Sequence, residues 1–190
     1  LIGVLKKRAA LCVQTATRIP HLERIAALYE SELSHDPALW PGQAILTTAE
    51  MLSIDPQNER RLGEMARLHR VENEYEKVLS FLEQRLALAG NSEDRIAQKG
   101  EIAGLLEVDL QRHSEALEYY GQILAEDANH QDTHAALERL WQNPLYRWES
   151  MVLLRPSYES QQDWAGLIER LIGCVDGGDE ETDSEILSDA

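Results

Sequence analysis

The chain has 190 residues, 43% hydrophobic and 27% charged, with a net charge of −16. This balance excludes a disordered chain. The acidity excludes nucleic acid and anionic membrane surfaces as generic partners, because affinity for both rests on Lys and Arg contacts to phosphate; it leaves room for a basic protein partner. No stretch reaches the roughly 18 uninterrupted apolar residues of a membrane span, so direct membrane insertion is not expected. No secretory signal is visible, which leans towards the cytoplasm, but the chain opens on Leu1 rather than Met, so its start fixes no compartment.

Read in order, the hydrophobic periodicity predicts a run of short amphipathic helices. Leu1–Cys12 begins inside an apolar helical pattern, and Arg18-Ile-Pro-His breaks it. His21–Leu33 follows, then a turn at Ser34–Pro41 in which Trp40 is expected to be exposed. Gly42–Ser53 is the next helix, with Ile45, Thr48, Ala49 and Leu52 on one face, and it ends at Asp55-Pro56. Arg60–Val71 and Glu74–Ala89 form a pair separated by Glu72-Asn73. Gly90-Asn91-Ser92 is a stop and cap. Ser92–Leu110 and Ser114–Ala128 form the following pair, the latter capped by Ser114, with Ala116, Leu117, Tyr120, Ile123 and Leu124 on one face. Gln131–Trp141, Tyr146–Gln161 and Asp163–Val175 complete the helices, and an acidic tail runs over 176–190.

Segments of this pattern recur. Leu1-Ile-Gly-Val-Leu superposes on Val78-Leu-Ser-Phe-Leu and on Leu167-Ile-Glu-Arg-Leu, with Tyr75 and Trp164 three residues ahead of the second and third. His21–Leu33 superposes on Gln98–Leu110, and Ile54–Leu68 on Glu126–Leu140. Short loops between amphipathic helices spaced at about 35–40 residues per pair require antiparallel hairpins stacked in a row. The aromatic positions Tyr29, Tyr75, Tyr120, Trp141 and Trp164 fall where helices meet and are expected to pack there. Cys12 and Cys174 lack metal-ligand spacing and read as small apolar core residues.

The hairpin Ala97–Ala128 resembles the tetratricopeptide repeat (TPR) family. Gly104 stands at that family's small position in the first helix, and Ala116 and Tyr120 at its small and aromatic positions in the second. Tyr75 matches the aromatic that opens a second helix, and the string Leu52-Ser-Ile-Asp-Pro56 matches the family's helix ending. The pattern departs from the family at Asp127-Ala128, which lacks the proline, at Glu138, in the long Ser34–Pro41 loop and along Tyr146–Gln161. The resemblance implies an all-α, right-handed α-solenoid of stacked antiparallel helical hairpins. It would form a single repeat domain over 1–175 that starts inside a hairpin, with 176–190 as an acidic tail or the start of the next repeat. Both ends lack the polar character of capping repeats, so a longer parent array is expected.

No motif carries catalysis, and no enzyme activity or cofactor is expected. His130 and His134 stand four apart, a metal-ligand spacing, but no third ligand is specified. Ser34-His35-Asp36 are adjacent and cannot converge as a triad does. Gly177-Gly-Asp-Glu-Glu lacks the α/β context of a cyclase signature. On Arg60–Val71 the apolar face is Leu62, Met65, Ala66 and His69, and Arg60, Arg67 and Arg70 lie opposite. The TPR resemblance places these arginines, with Arg24 and Arg139, in a groove where guanidinium forks would take an acidic or C-terminal peptide segment. The alternative is a solvated face paired locally with Glu59, Glu64 and Glu72. The expected function is a protein-interaction scaffold that binds a partner peptide or helix. A structural or regulatory spacer within a larger protein is the alternative.

Overall fold

The computed structural model describes residues 1–12, 14–32 and 40–176. It contains ten α-helices: α1 (Ile2–Leu11), α2 (Thr15–Glu32), α3 (Trp40–Ile54), α4 (Glu59–Val71), α5 (Tyr75–Leu86), α6 (Ser92–Gly104), α7 (His113–Glu126), α8 (Gln131–Trp141), α9 (Arg147–Gln161) and α10 (Trp164–Asp176). A π-helical turn, Leu105–Asp109, continues α6. No strand occurs among the described residues. The chain falls into two compact units, Leu1–Asn91 and Ser92–Ala190. Most of the turn expected at Ser34–Pro41, including Ser34-His35-Asp36, and most of the acidic tail lie outside the described residues.

In the first unit each helix packs on the next, from α1 through α5. Ala9, Leu22, Ile25, Tyr29, Ala44, Met51 and Leu68 form its core, with Ile2, Leu5 and Ile54 packed against them. The break expected at Arg18-Ile-Pro-His is absent: α2 runs from Thr15 through Pro20. Proline removes one backbone donor there, and Leu22 and Ile25, both buried, anchor the helix just beyond that loss. Trp40 is not exposed as expected. It opens α3 and packs half-buried against the core. The buried face of α3 is also rotated from the expected one, to Ala44, Thr47, Thr48 and Met51, and Ala49 is exposed. That helix is apolar on nearly every side, so periodicity alone selects no face.

The apolar face of α4 is as expected, with Leu62, Met65, Ala66 and His69 all buried. Asn58 caps it, accepting a hydrogen bond from the Arg61 backbone N–H at 3.2 Å. Asn73, at φ 58°, turns the chain into α5, and the Glu74 N–H closes the turn on the His69 carbonyl at 2.9 Å. His69 stacks on Phe81, and its Nδ1 sits 2.6 Å from Glu74 Oε2.

In the second unit α6 packs on α7, α7 on α8 and α9, α8 on α9, and α9 on α10. Ala116, Leu117, Tyr120 and Ile123 are buried, as the periodicity of α7 predicts. Ser114 is not its cap. Gln111, at φ 54°, reverses the chain early, and the helix starts at His113 after Arg112, with no side-chain cap. The superposition of α10 on α1 and α5 is out of phase. α1 to α5, α2 to α6 and α4 to α8 are each four helices apart, whereas α5 to α10 is five. Trp164 accordingly is not at a packed seam but 55% exposed, with Ile168 and Ile172 exposed one and two turns further on. Cys12 and Cys174 are half-buried rather than in the core.

Two glycines separate backbone preference from packing. A Cβ on Gly104 meets no neighbouring atom, so packing does not impose the small residue there. A Cβ on Gly173 would lie 3.0 Å from Trp141 Cζ2, a ring held beneath the guanidinium groups of Arg147 and Arg170. Gly104→Ala is therefore expected to stabilise the protein by about 0.5–1 kcal/mol through chain entropy, and Gly173→Ala to destabilise it by about 1–3 kcal/mol. Urea denaturation followed by tryptophan fluorescence tests both, and equal signs for the two variants would refute the contrast.

Candidate functional site

Successive hairpins are tied by carboxylates on one first helix that reach an arginine on the next first helix. In the first unit Glu23 of α2 accepts from Arg61 of α4 at 3.2 Å, and Glu30 of α2 pairs with Arg67 of α4. In the second unit Glu107 accepts from Arg139 of α8 at 2.8 Å, and Glu138 of α8 accepts from Arg170 of α10 at 2.9 Å. The two links in the second unit carry the same third member, a tyrosine. Tyr120 donates to Glu107 at 2.6 Å, and Tyr158 to Glu138 at 2.5 Å. The π-turn aims Glu107 inward, where it is 9% exposed. Burial first, and then the hydrogen bond to a carboxylate, push both phenols well above their usual range.

The arginines singled out from the sequence do different things. Arg67 is held between Glu30 and Glu64, and Arg139 is bound by Glu107. Both are exposed at the surface but are already partnered. Arg70 is exposed and also has a partner. Arg24 and Arg60 are exposed and make no ion pair among the described residues. Of the local pairing with Glu59, Glu64 and Glu72 expected for a solvated face, Arg67 keeps the contact with Glu64 and adds Glu30, a partner 37 residues away in sequence. Spacing along one helix cannot reveal that contact.

The first unit holds the cleft that matters most. It occupies about 320 Å³ between α2, α3 and α4, with Glu23, Ala26, Ala27 and Glu30 on one wall, Asn58, Arg60, Arg61 and Glu64 on the other, and Thr48 and Met51 at its base. Thr48 is 1% exposed, and its hydroxyl has no hydrogen-bond partner. A second cleft, of about 440 Å³, adjoins it between α4 and α5, and Arg60 and Glu64 line both. Glu30 and Glu64 behave as a pair. Burial and the hydrogen bond with Glu64 raise the Glu30 pKa. Burial also acts to raise Glu64, but the hydrogen bonds of Arg67 and Glu30 outweigh it and hold Glu64 below the usual carboxylate range.

The units differ in charge. Residues 1–91 carry 11 Lys and Arg against 12 Asp and Glu, a net −1, and residues 92–190 carry 7 against 22, a net −15. His130 and His134 have structural partners: His130 caps α8, accepting from the Thr133 N–H, and a His134 ring nitrogen lies 2.9 Å from the Ala128 carbonyl oxygen. Among the described residues no group of three His, Cys, Asp or Glu is arranged to hold a metal ion, and no helix is long and apolar enough to cross a membrane.

Stacked hairpins of this kind define an all-α, TPR-like helical-repeat fold. Among solved structures the chain is similar to MamA, a TPR-like repeat protein, with a TM-score of 0.55 at 13% identity over 87% of this chain and 89% of that one. It is also similar to a Podosopora anserina putative kinesin light chain with nearly identical TPR-like repeats, with a TM-score of 0.49 at 19% identity over 95% of this chain and 87% of that one. At these identities the likeness is one of fold. No family model matches the chain, and no curated protein matches it in sequence.

Two side-chain clusters give direct tests. Tyr120→Phe removes a buried hydrogen bond to a carboxylate and is expected to cost about 2 kcal/mol in urea denaturation; a loss below about 0.5 kcal/mol would show that Arg139 alone satisfies Glu107. Glu126 accepts from Ser92 and Lys99 at 2.8 Å and from Arg95 at 3.0 Å. The Lys99 hydrogen bond first, then those of Ser92 and Arg95, lower its pKa to about 2. A depressed folded-state pKa contributes stability above the unfolded value and loses it as pH falls towards the folded one. The stability difference between wild type and Glu126→Gln should be constant above about pH 5 and close progressively as pH falls towards 2. A difference independent of pH would exclude the charge of Glu126 as its source.

Proposed function

We propose that this chain is a protein-interaction module, one TPR-like repeat domain over residues 1–175 that binds an extended peptide or partner helix. The observation that carries this reading is Arg60, a cation without an ion-pair partner among the described residues that lines two adjoining clefts. A guanidinium in that state offers a carboxylate two parallel hydrogen bonds without breaking a hydrogen bond of its own, its existing influence being a longer-range one on the charge of Glu64. Arg24 has the same freedom on α2. Arg67 and Arg70 contribute only by sharing donors they already use, and the same holds for Arg139 within the second unit, so their contribution to a partner is secondary. No catalytic residue or cofactor is part of this reading.

The test is a random-peptide display selection against the whole chain, followed by affinity measurements on Arg60→Glu. Enriched peptides that bind wild type, and bind Arg60→Glu at least about tenfold more weakly with the melting temperature unchanged, support the reading. Arg60→Glu is a cleaner probe than Arg67→Glu, which would place three carboxylates together at Glu30 and Glu64. Failure to enrich any peptide overturns it and favours a structural spacer.

A further inference from the structure

The cleft between α2, α3 and α4 carries a feature that the arginine reading does not use. We propose that this cleft is a socket for a lysine side chain of the partner, with the methylene stem against Ala26, Ala27 and Met51 and the ammonium group at Glu30, Glu64 and Thr48. The proposal rests on the interaction reading above and deepens it by naming the chemistry of the anchor.

Three observations converge on a cation. Carboxylates outnumber the arginines they meet: Arg61 serves both Glu23, at 3.2 Å, and Asp55, at 3.6 Å, and Arg67 serves both Glu30 and Glu64. The lining itself holds three carboxylates, Glu23, Glu30 and Glu64, against two guanidinium groups, Arg60 and Arg61, and Arg67, outside the lining, is shared between two of those carboxylates. The Thr48 hydroxyl is buried at the base of the cleft with no hydrogen-bond partner, although buried polar groups are almost always paired. The apolar part of the lining is Met51, Ala26 and the more exposed Ala27, which suits a four-carbon stem entering from the surface.

An ammonium group carries three donors, and two carboxylates and a hydroxyl supply three acceptors.

The experiment uses the full 190-residue chain with carbon-13-labelled methionine and threonine methyl groups. N-acetyl-lysine methylamide, its norleucine counterpart and its glutamate counterpart are titrated separately, and the Met51 and Thr48 methyl signals are followed. The lysine probe should produce saturable shifts, with the norleucine and glutamate probes at least about tenfold weaker. Thr48→Val keeps the shape of the side chain and removes the hydroxyl, and should weaken the lysine probe about tenfold. Glu30→Gln, on the half-exposed rim, should weaken it as well and serves if the valine variant does not fold.

Equal binding of lysine and norleucine, preference for glutamate, no saturable shift, or full affinity in both variants would each overturn the socket. The two readings fail separately. Display peptides that bind through Arg60 but carry no basic residue would sink the socket and leave the interaction module standing.

Discussion

Helices of ten to eighteen residues, the span from α1 to α2, are marginal in water until an apolar face is covered. Within each unit of this protein the cover comes from the helix before and the helix after. That constraint organises the rest. It makes the helices amphipathic, keeps their connections short, and brings alternate helices close enough for a long carboxylate on one to reach an arginine on the next. The contacts Glu23–Arg61, Glu30–Arg67, Glu107–Arg139 and Glu138–Arg170 follow from that geometry. Their energetic weight is unequal. Exposed pairs contribute little, whereas Glu107 is buried and would be left as an uncompensated charge without its tyrosine and arginine.

The same contacts explain the division of labour among the arginines. A residue that fastens one hairpin to its neighbour has its donors in use, and a residue beside it on the same helix does not. On α4, Arg61 and Arg67 are fastened and Arg60 is not. One helix therefore holds the unit together and leaves a guanidinium group outside those ties, because its 3.6-residue period turns adjacent positions to different surroundings.

Much of the fold was legible in the sequence, and the failures have identifiable causes. The buried faces of α4 and α7 followed from periodicity, because each has a single apolar stripe. The face of α3 did not, because that helix is apolar nearly all round. Pro20 suggested a break that tertiary packing overrides. Ser114 has the right chemistry for a cap, but the left-handed Gln111, which no local rule singles out, starts the helix a residue earlier. The candidate site was half legible. Arg60 is expected on the polar side of α4 and is exposed there, whereas periodicity places Thr48 only on an apolar face and does not single it out as a candidate residue. The partners of Arg67 and Arg139 lie 37 and 32 residues away, and only the packing of one hairpin on the next brings them together. The phase of α10 has the same cause: its similarity to α5 reflects a shared apolar pattern, and the Glu138–Arg170 contact assigns it instead to the series of first helices.

The uneven charge of the two units has a practical consequence. Repulsion among like charges opposes compaction and is relieved by electrolyte over distances of about 8–10 Å near physiological ionic strength. Residues 92–190 carry a net −15 to be screened and residues 1–91 a net −1. Ionic strength thus becomes a selective handle on this molecule, firming the acidic half on addition of salt and loosening it on dialysis, while the half that carries the cleft remains nearly indifferent.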